Sequence, residues 1–303
     1  MKSQEKKGSL YAILSGFLYG FIGYFGLSAM NGKLSAETML FWRFFIASGL
    51  ILIIIIPQIK QVKNSFLSLF TAFIGGALYY GFSTLLYFYS SLYIGSGLAM
   101  VIFFTYPVMI MFLNFILYGH TMPRIYYLAA FIILMGMLLM IDLGDVAFDI
   151  AGIGLGVVSA FFYACYLISS KRNILPPVFS TLMVCLGCMM TCLLMALWNH
   201  TFAFPASATV WGNLLGIGVI ATVIPVLLML LSLQYISSEK ASLLSVLEPV
   251  FVVIFGVLFL GEEIRPWHAL GIILVLSGAL ITLYSHRINL GQFKQWLLRI
   301  TRA

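Results

Sequence analysis

Charged side chains are scarce in this chain. Only 8% of its 303 residues are Asp, Glu, Lys or Arg, whereas 62% are hydrophobic. A soluble domain carries about 25% charged residues. This shortage excludes a water-soluble globular protein and predicts that most of the surface faces hydrocarbon.

Motifs of ATP-driven and catalytic proteins are also missing. The chain has no G-x-x-x-x-G-K-[ST] phosphate loop, no H-E-x-x-H zinc motif and no G-x-S-x-G nucleophile motif. ATP therefore does not drive transport directly from this chain, and an intramembrane enzyme would lack its catalytic set. We predict a protein that is not an enzyme and that uses no cofactor.

Cysteine is rare, and its placement excludes a disulfide framework. The four cysteines are Cys165, Cys185, Cys188 and Cys192, and all lie within apolar segments. The last three share one helical face and could in principle hold a soft metal. Because no His or Asp accompanies them, we favour packing by buried thiols and predict no metal site.

Long hydrophobic runs are abundant. About 20 apolar residues are needed to cross the roughly 30 Å hydrocarbon core of a bilayer. Runs of about this length fill most of the chain and predict an all-α integral membrane protein with ten transmembrane helices. The predicted spans are residues 9–30, 37–57, 66–90, 95–118, 124–141, 151–170, 178–198, 210–233, 238–260 and 267–284.

Lysine and arginine are distributed unevenly between the two sides that alternating spans define. One side holds only Lys33 and Arg265, and almost all other cationic residues fall on the side of the termini. This bias predicts that both termini are cytoplasmic, in a bacterial cytoplasmic (inner) membrane. The net charge of +7 therefore reflects membrane topology, and we predict no nucleic-acid partner.

The second half of the chain repeats the first. Tyr93–Met140 aligns without a gap on Tyr235–Thr282 at a constant offset of 142 positions. Ser15–Gly20 likewise resembles Ser159–Ala164, so the repeat unit has five spans. Because five is odd, the second copy enters the membrane from the opposite side, and the two repeats are predicted to be inverted.

These features divide the chain into three parts. The first five-helix repeat occupies residues 1–142, and the second occupies residues 151–285. Residues 286–303 combine hydrophobic residues at helical spacing with four cationic residues. They predict an amphipathic helix on the cytoplasmic membrane surface, with a partly ordered tail as the alternative.

Three prolines within the predicted spans indicate bent helices. Pro107 and Pro249 occupy equivalent positions in spans 4 and 9, and Pro225 lies in span 8. Each lacks an N–H, and its ring clashes with the carbonyl four residues earlier. The carbonyl of Ala221, for example, should need another donor, because lipid offers none.

Glu248 is the most notable ionisable residue, because it lies near the middle of span 9. A charge there costs several kcal/mol, and such residues are candidates for proton coupling or substrate binding. A structural role beside the Pro249 kink is the alternative. Arg43 is a candidate ionic partner, although we favour an Arg43 that snorkels to the outer end of span 2.

Aromatic and hydroxyl residues recur on helix faces that suit lipid poorly, so we expect these faces to point inward. An apolar wall with a few hydrogen-bonding groups is typical of a small-molecule site. The alternative for any one residue is ordinary helix packing or an interfacial position. The predicted pathway consists of Tyr19, Tyr80, Ser83, Tyr87, Phe103, Tyr106, Tyr163, Tyr166 and Glu248.

Spans 4, 5, 9 and 10 carry a family resemblance. Tyr235–Leu244, Leu247–Phe251, Gly261-Glu262 and Leu270–Gly278 resemble the EamA domain of the drug/metabolite transporter superfamily. The resemblance covers both halves and implies ten spans, cytoplasmic termini, and transport of amino acids, other metabolites, nucleotide sugars or drugs. The first half departs from the pattern, with Gly119-His120 and Tyr106 at the positions of Gly261-Glu262 and Glu248.

The pattern as a whole predicts a secondary transporter that works by alternating access around a central cavity. We expect its cargo to be a small metabolite, with an amino acid or amino-acid derivative favoured. Protons couple transport if Glu248 titrates during the cycle. The alternatives are a multidrug exporter of lipophilic cations and a membrane scaffold without cargo. Beyond the cargo and the lipid bilayer, the sequence is compatible with a monomer or a homodimer.

Overall fold

The fold is that of a bundle of membrane helices. The structure, a computed structural model, describes residues 2–30, 34–56, 65–141, 149–260 and 265–284, and these ranges contain no β-strand. The predicted amphipathic helix over 286–303 lies outside them. The helices are α1 (Ser3–Gly26), α2 (Ala36–Ile55), α3 (Phe66–Ile94), α4 (Ser96–Tyr118), α5 (Arg124–Leu139), α6 (Ile150–Arg172), α7 (Pro177–Trp198), α8 (Ala208–Tyr235), α9 (Ser238–Phe259) and α10 (Pro266–Tyr284).

Nine of these helices in the described ranges are long and apolar enough to cross a membrane. The exception is α5, whose 16 residues rise about 24 Å at 1.5 Å per residue. The ten predicted spans therefore correspond to nine full-length helices and one shorter helix. This confirms the all-α membrane fold.

Polar caps mark where several helices begin, because the first N–H groups of a helix have no partner within it. The Asp149 carboxylate accepts a hydrogen bond from the Gly152 N–H at 2.8 Å, and serine hydroxyls do the same at three other helix starts. The serine caps are Ser35, Ser207 and Ser237. The helix boundaries thus follow from local chemistry in the loops.

The two proline-containing helices α4 and α9 are interrupted at the same place. α4 consists of Ser96–Phe103 and Tyr106–Tyr118. α9 has the matching pieces Ser238–Ser245 and Glu248–Phe255. Each proline is in the first turn of the second piece, where its missing N–H costs nothing. These pieces start at positions that differ by 142, as the repeat requires.

A second matched irregularity lies in α3 and α8. Residues Gly75–Gly81 of α3 and Val219–Val223 of α8 form π-helical turns. The two segments overlap at the 142-residue offset, and Pro225 lies two residues after the end of the second. Duplication therefore preserved these two backbone irregularities.

The helix contacts relate the two halves as expected for an inverted repeat. α1 packs along α8 while α6 packs along α3, and α2 pairs with α7 as α5 pairs with α10. Two serines make equivalent contacts in these pairs. Ser159 Oγ donates to the Ser83 carbonyl at 2.7 Å, and Ser15 Oγ donates to the Pro225 carbonyl at 2.8 Å. The architecture is two inverted five-helix repeats.

Glycines permit the close pairing of α5 with α10. A Cβ added at Gly271 would lie 2.5 Å from the Gly136 carbonyl oxygen, and one added at Gly136 would lie 2.7 Å from the Gly271 oxygen. Two backbones can approach this closely only where neither carries a side chain.

We expect Gly271→Ala to lower the free energy of unfolding by about 1–3 kcal/mol, because overpacking forces the two helices apart. Gly154→Ala is the matched control, since nothing lies within 4 Å of a Cβ added there. Thermal unfolding in detergent measures both variants. Equal stability of the two variants would show that the α5–α10 contact accommodates the added methyl group without loss of stability.

Candidate functional site

A cluster of tyrosines from both repeats occupies the middle of the bundle. The Tyr19 and Tyr80 hydroxyls are 3.2 Å apart, and the Tyr80 ring stacks on Tyr166 with ring centres 4.8 Å apart. Tyr163 meets Tyr106 edge to face at 4.7 Å. All five side chains are buried. The structure thus brings together five residues that the sequence places in four different helices.

Two further aromatic residues extend this tyrosine cluster toward a less enclosed region. Phe103 lies 5.1 Å from Tyr163 and 5.4 Å from Tyr106, centre to centre. Tyr87 lies 5.3 Å from Phe103. Both Phe103 and Tyr87 are only half-buried. They are thus more exposed than the five tyrosines of the cluster.

Glu248 stands at the edge of the tyrosine cluster, as the first residue of the second piece of α9. Its side chain is only half-buried, although its neighbours Leu247 and Pro249 are buried. Its carboxyl group interacts electrostatically with Arg43 and with Tyr87. Glu248 is therefore more exposed than the residues on either side of it.

Arg43 is buried inside the bundle, with a side chain only 2% exposed. The prediction that it snorkels to the outer end of α2 is therefore wrong. Its Nε donates to Thr222 Oγ1 at 2.5 Å, and its Nη2 donates to the Ala221 carbonyl at 3.2 Å. Ala221 is the residue whose carbonyl Pro225 was predicted to free. The physical reason for burial is this carbonyl, which needs a donor in the π-helical turn.

Arg43 and Glu248 are not in direct contact. Among the residues that the structure describes, the ion pair within 4 Å is that of Lys240 with Glu5. The carboxyl of Glu248 and the guanidinium of Arg43 therefore attract each other across a gap. Two opposite charges in a low-dielectric interior interact over a longer distance than they would in water.

Ser83 belongs to a different environment from the tyrosines. Its side chain is fully buried, and its Oγ donates to the Ser159 carbonyl at 2.8 Å. The structure thus places Ser83 in the α3–α6 contact. Tyr166, by contrast, has a buried hydroxyl without a hydrogen-bond partner among the described residues.

Polar contacts between α4 and α9 gather on one side of Glu248. We call that side the basic end, because Lys6, Lys7, Arg124, Lys171, Arg172 and Lys240 lie there. Asn114 Nδ2 donates to Glu239 Oε1 at 2.5 Å, and the Tyr106 hydroxyl bonds to Ser245 Oγ at 2.6 Å. These two contacts hold α4 against α9 throughout the basic half.

Ionic contacts tie further helices to the basic end. Lys240 Nζ bonds to Glu5 Oε1 at 2.5 Å, linking α9 to α1. Lys171 Nζ at the end of α6 donates to the Ile236 carbonyl at 2.8 Å, beyond the end of α8. At the opposite end, the described polar contacts of Glu37 join α2 to α3 and α7 instead. Polar and ionic contacts at the basic end thus join α4 to α9, α9 to α1 and α6 to the end of α8.

The cysteines behave as packing residues. Cys185, Cys188 and Cys192 are fully buried, and Cys188 Sγ donates to the Gly76 carbonyl at 3.2 Å. The described part of the chain contains no group of three His, Cys, Asp or Glu side chains that could hold a metal ion.

Two inverted five-helix repeats are an arrangement found in many membrane transporters. Residues 6–142 and 150–284 each match the EamA-like transporter family. The chain therefore belongs to the EamA-like transporter family, and the resemblance seen in the sequence is confirmed over both repeats.

Individual relatives are more distant. The chain is 30% identical over 148 residues to the uncharacterized transporter YwfM of Bacillus subtilis (strain 168). That alignment covers 48% of this chain and 49% of YwfM, so the chain matches about half the length of this relative. A solved crystal structure superposes with a TM-score of 0.80 at 15% identity and covers 93% of this chain and 98% of its own. This second likeness shows a shared fold.

We expect Arg43→Met to lower the free energy of unfolding by about 1–3 kcal/mol, because the buried Ala221 carbonyl loses its donor. Arg124→Met is the control, since Arg124 is exposed at the start of α5. Thermal unfolding in detergent compares the two. An Arg43→Met protein as stable as the control would show that the π-helical turn of α8 does not depend on the guanidinium.

Proposed function

We propose that this protein is a secondary transporter that moves an amino acid or amino-acid derivative by alternating access. The observation that carries the proposal is the pair of Glu248 and Arg43. Glu248 is half-buried at the centre, Arg43 is buried within its electrostatic reach, and the two make no direct ion pair. Aromatic rings from both repeats lie near Glu248.

A zwitterion matches this arrangement. Its ammonium group complements Glu248, and its carboxylate complements the N–H groups of Arg43 that are not donated to Thr222 or Ala221. A desolvated charge is stabilised in a low-dielectric site only when an opposite charge accompanies it. The Tyr163, Tyr106 and Phe103 rings supply apolar surface for a side chain of the cargo.

A multidrug exporter of lipophilic cations is the second candidate. The half-buried Glu248 and the aromatic rings around it would also suit a cation, through charge and cation–π attraction. Arg43 weighs against this candidate, because a positive charge close to the site repels a second one. A scaffold without cargo is weaker still, because a carboxyl group at the centre of a membrane bundle is costly and is a candidate for a functional role.

Alternating access requires that the basic end open while the opposite end closes. The contacts Asn114–Glu239 and Glu5–Lys240 are the ones that must separate. Because the repeats are inverted, a rocking motion that breaks these contacts would close the equivalent region at the other end. The excess of cationic residues at the basic end supports cytoplasmic termini, and the YwfM similarity supports a bacterial membrane.

Transport into proteoliposomes tests the role of Glu248. We expect Glu248→Gln to reduce uptake of its amino-acid cargo about tenfold or more, because the charged partner of the ammonium group is lost. A panel of amino acids, adenosyl compounds and lipophilic cations, each with and without a pH gradient, identifies the cargo. If Glu248 also couples protons, the variant loses the gradient-dependent fraction.

Glu37→Gln is the matched control, because Glu37 is another intramembrane carboxyl but bonds to Tyr89 and Asn199 away from the tyrosine cluster. It should keep the gradient dependence of the wild type. Wild-type uptake by Glu248→Gln would sink the proposal, and uptake of lipophilic cations alone would favour the exporter.

Reversing the charges of the Glu5–Lys240 pair tests whether this ion pair keeps the basic end closed. We expect Glu5→Lys to increase labelling of a Ser242→Cys reporter from that end about two- to fivefold, because like charges replace an ion pair. The reporter is placed in a chain whose four native cysteines are replaced by alanine, and a membrane-impermeant maleimide measures its access.

The double variant Glu5→Lys with Lys240→Glu restores the pair with reversed signs, so it should label at the rate of the reporter alone. Labelling that stays high in the double variant would mean that the Glu5–Lys240 pair does not hold this end shut.

A further inference from the structure

A crevice of about 420 Å³ opens at the basic end, away from Glu248 and the tyrosine cluster. It lies where α3, α4 and α6 meet. Its lining includes Leu113 and Leu117 of α4, and Cys165, Ile168, Ser169 and Arg172 of α6. None of these residues takes part in the proposed transport site, so the crevice needs an explanation of its own.

Comparison of the two repeats shows that the crevice is present at only one of two symmetry-equivalent places in the described residues. The symmetry-equivalent seam lies at the opposite end, between α1, α8 and α9. At the positions that match Leu113, Leu117, Cys165 and Ser169, it has Phe255, Phe259, Phe21 and Phe25.

These four phenylalanines fill the equivalent seam. Phe21 stacks on Phe255 with ring centres 4.0 Å apart, and Phe259 and Phe25 lie 6.2 Å and 6.1 Å from Phe21. One copy of the seam is therefore packed with aromatic rings. The other copy has smaller side chains at the same positions, and a crevice remains.

The crevice has an apolar wall and a cationic mouth. Leu113, Leu117 and Ile168 provide hydrocarbon surface, and Ser169 adds a hydroxyl. The Arg172 guanidinium carbon lies 3.3 Å from the centre of the Tyr118 ring. No carboxylate of the described residues lies within 4 Å of Arg172, and none of its N–H groups has an acceptor among them. Arg172 is exposed, and its guanidinium lies against an aromatic ring with its N–H donors available to a ligand.

We propose that this crevice binds an anionic phospholipid, with its phosphate at Arg172 and an acyl chain along Leu113, Leu117 and Ile168. Guanidinium groups bind phosphate through paired N–H donors. Basic pockets between membrane helices on the cytoplasmic side suit anionic headgroups, and the charge bias predicts that the basic end is cytoplasmic.

The position of the mouth favours a lipid over a soluble anion. Leu117 is 56% exposed and Tyr118 is 44% exposed, and both belong to the outer surface of a membrane-spanning helix. Ile116 beside them is 59% exposed. A surface this apolar borders the bilayer, so a lipid can enter the crevice sideways from its own leaflet.

Native mass spectrometry of the full chain tests the proposal. Delipidated protein is titrated with phosphatidylglycerol or with phosphatidylcholine of the same acyl chains. We expect the wild type to retain phosphatidylglycerol selectively, and Arg172→Gln to weaken that binding about fivefold, the effect of one cation near an anionic surface. Arg124→Gln is the matched control, because Arg124 is an exposed basic-end arginine outside the crevice, and it should bind as the wild type does.

A second variant tests the cavity rather than the charge. Ser169→Phe introduces the residue that the other copy has as Phe25, and it should block the lipid although Arg172 remains. Unchanged phosphatidylglycerol binding in both Arg172→Gln and Ser169→Phe would overturn the proposal. Equal binding of the two lipids by the wild type would also overturn it. Glycerol 3-phosphate is the soluble probe. If it binds as tightly as the lipid does, and if its binding depends on Arg172, the site belongs to a soluble anion instead.

Discussion

The absence of water from the bilayer core governs this structure, because every backbone N–H and C=O there must find a partner within the protein. Regular helices satisfy that requirement by themselves, and the interrupted ones do not. Arg43, for example, donates to the Ala221 carbonyl, which Pro225 leaves without its usual partner. Polar side chains in the bundle are thus first a means of completing broken helices. Only those left over, Glu248 above all, are available for other chemistry.

The two repeats share one helix arrangement but carry different side chains at equivalent positions. The interruptions of α4 and α9 coincide at the repeat offset, yet Tyr106 occupies the position that Glu248 has in the second copy. Tyr106 reaches Ser245 of α9 and helps to close the basic half. Glu248 instead stays half-buried at the centre. One copy therefore supplies a closing contact where the other supplies the only carboxyl group beside the tyrosine cluster within the described residues.

Much of the site could be predicted from the sequence, because its residues lie on helix faces of mixed aromatic and polar character. Tyr19, Tyr80, Tyr106, Tyr163 and Tyr166 do converge. Other features could not be predicted, since their partners are far apart in the chain. Arg43 finds its acceptors 178 and 179 positions away. Asn114 finds Glu239 at a separation of 125. No local pattern connects residues at such separations.

By itself, the sequence determined the membrane class, the helix count and the inverted duplication. These follow from hydrophobic length, from charge placement and from an odd number of spans, all of which are local or additive properties. Tertiary structure alone decided which buried groups have partners and which do not. It placed Arg43 inside rather than at the interface and left Glu248 half-buried beside the tyrosine cluster. It also left a crevice between α3, α4 and α6, where the equivalent seam is filled by phenylalanines. Those outcomes depend on which helices meet, and the packing of two repeats determines them.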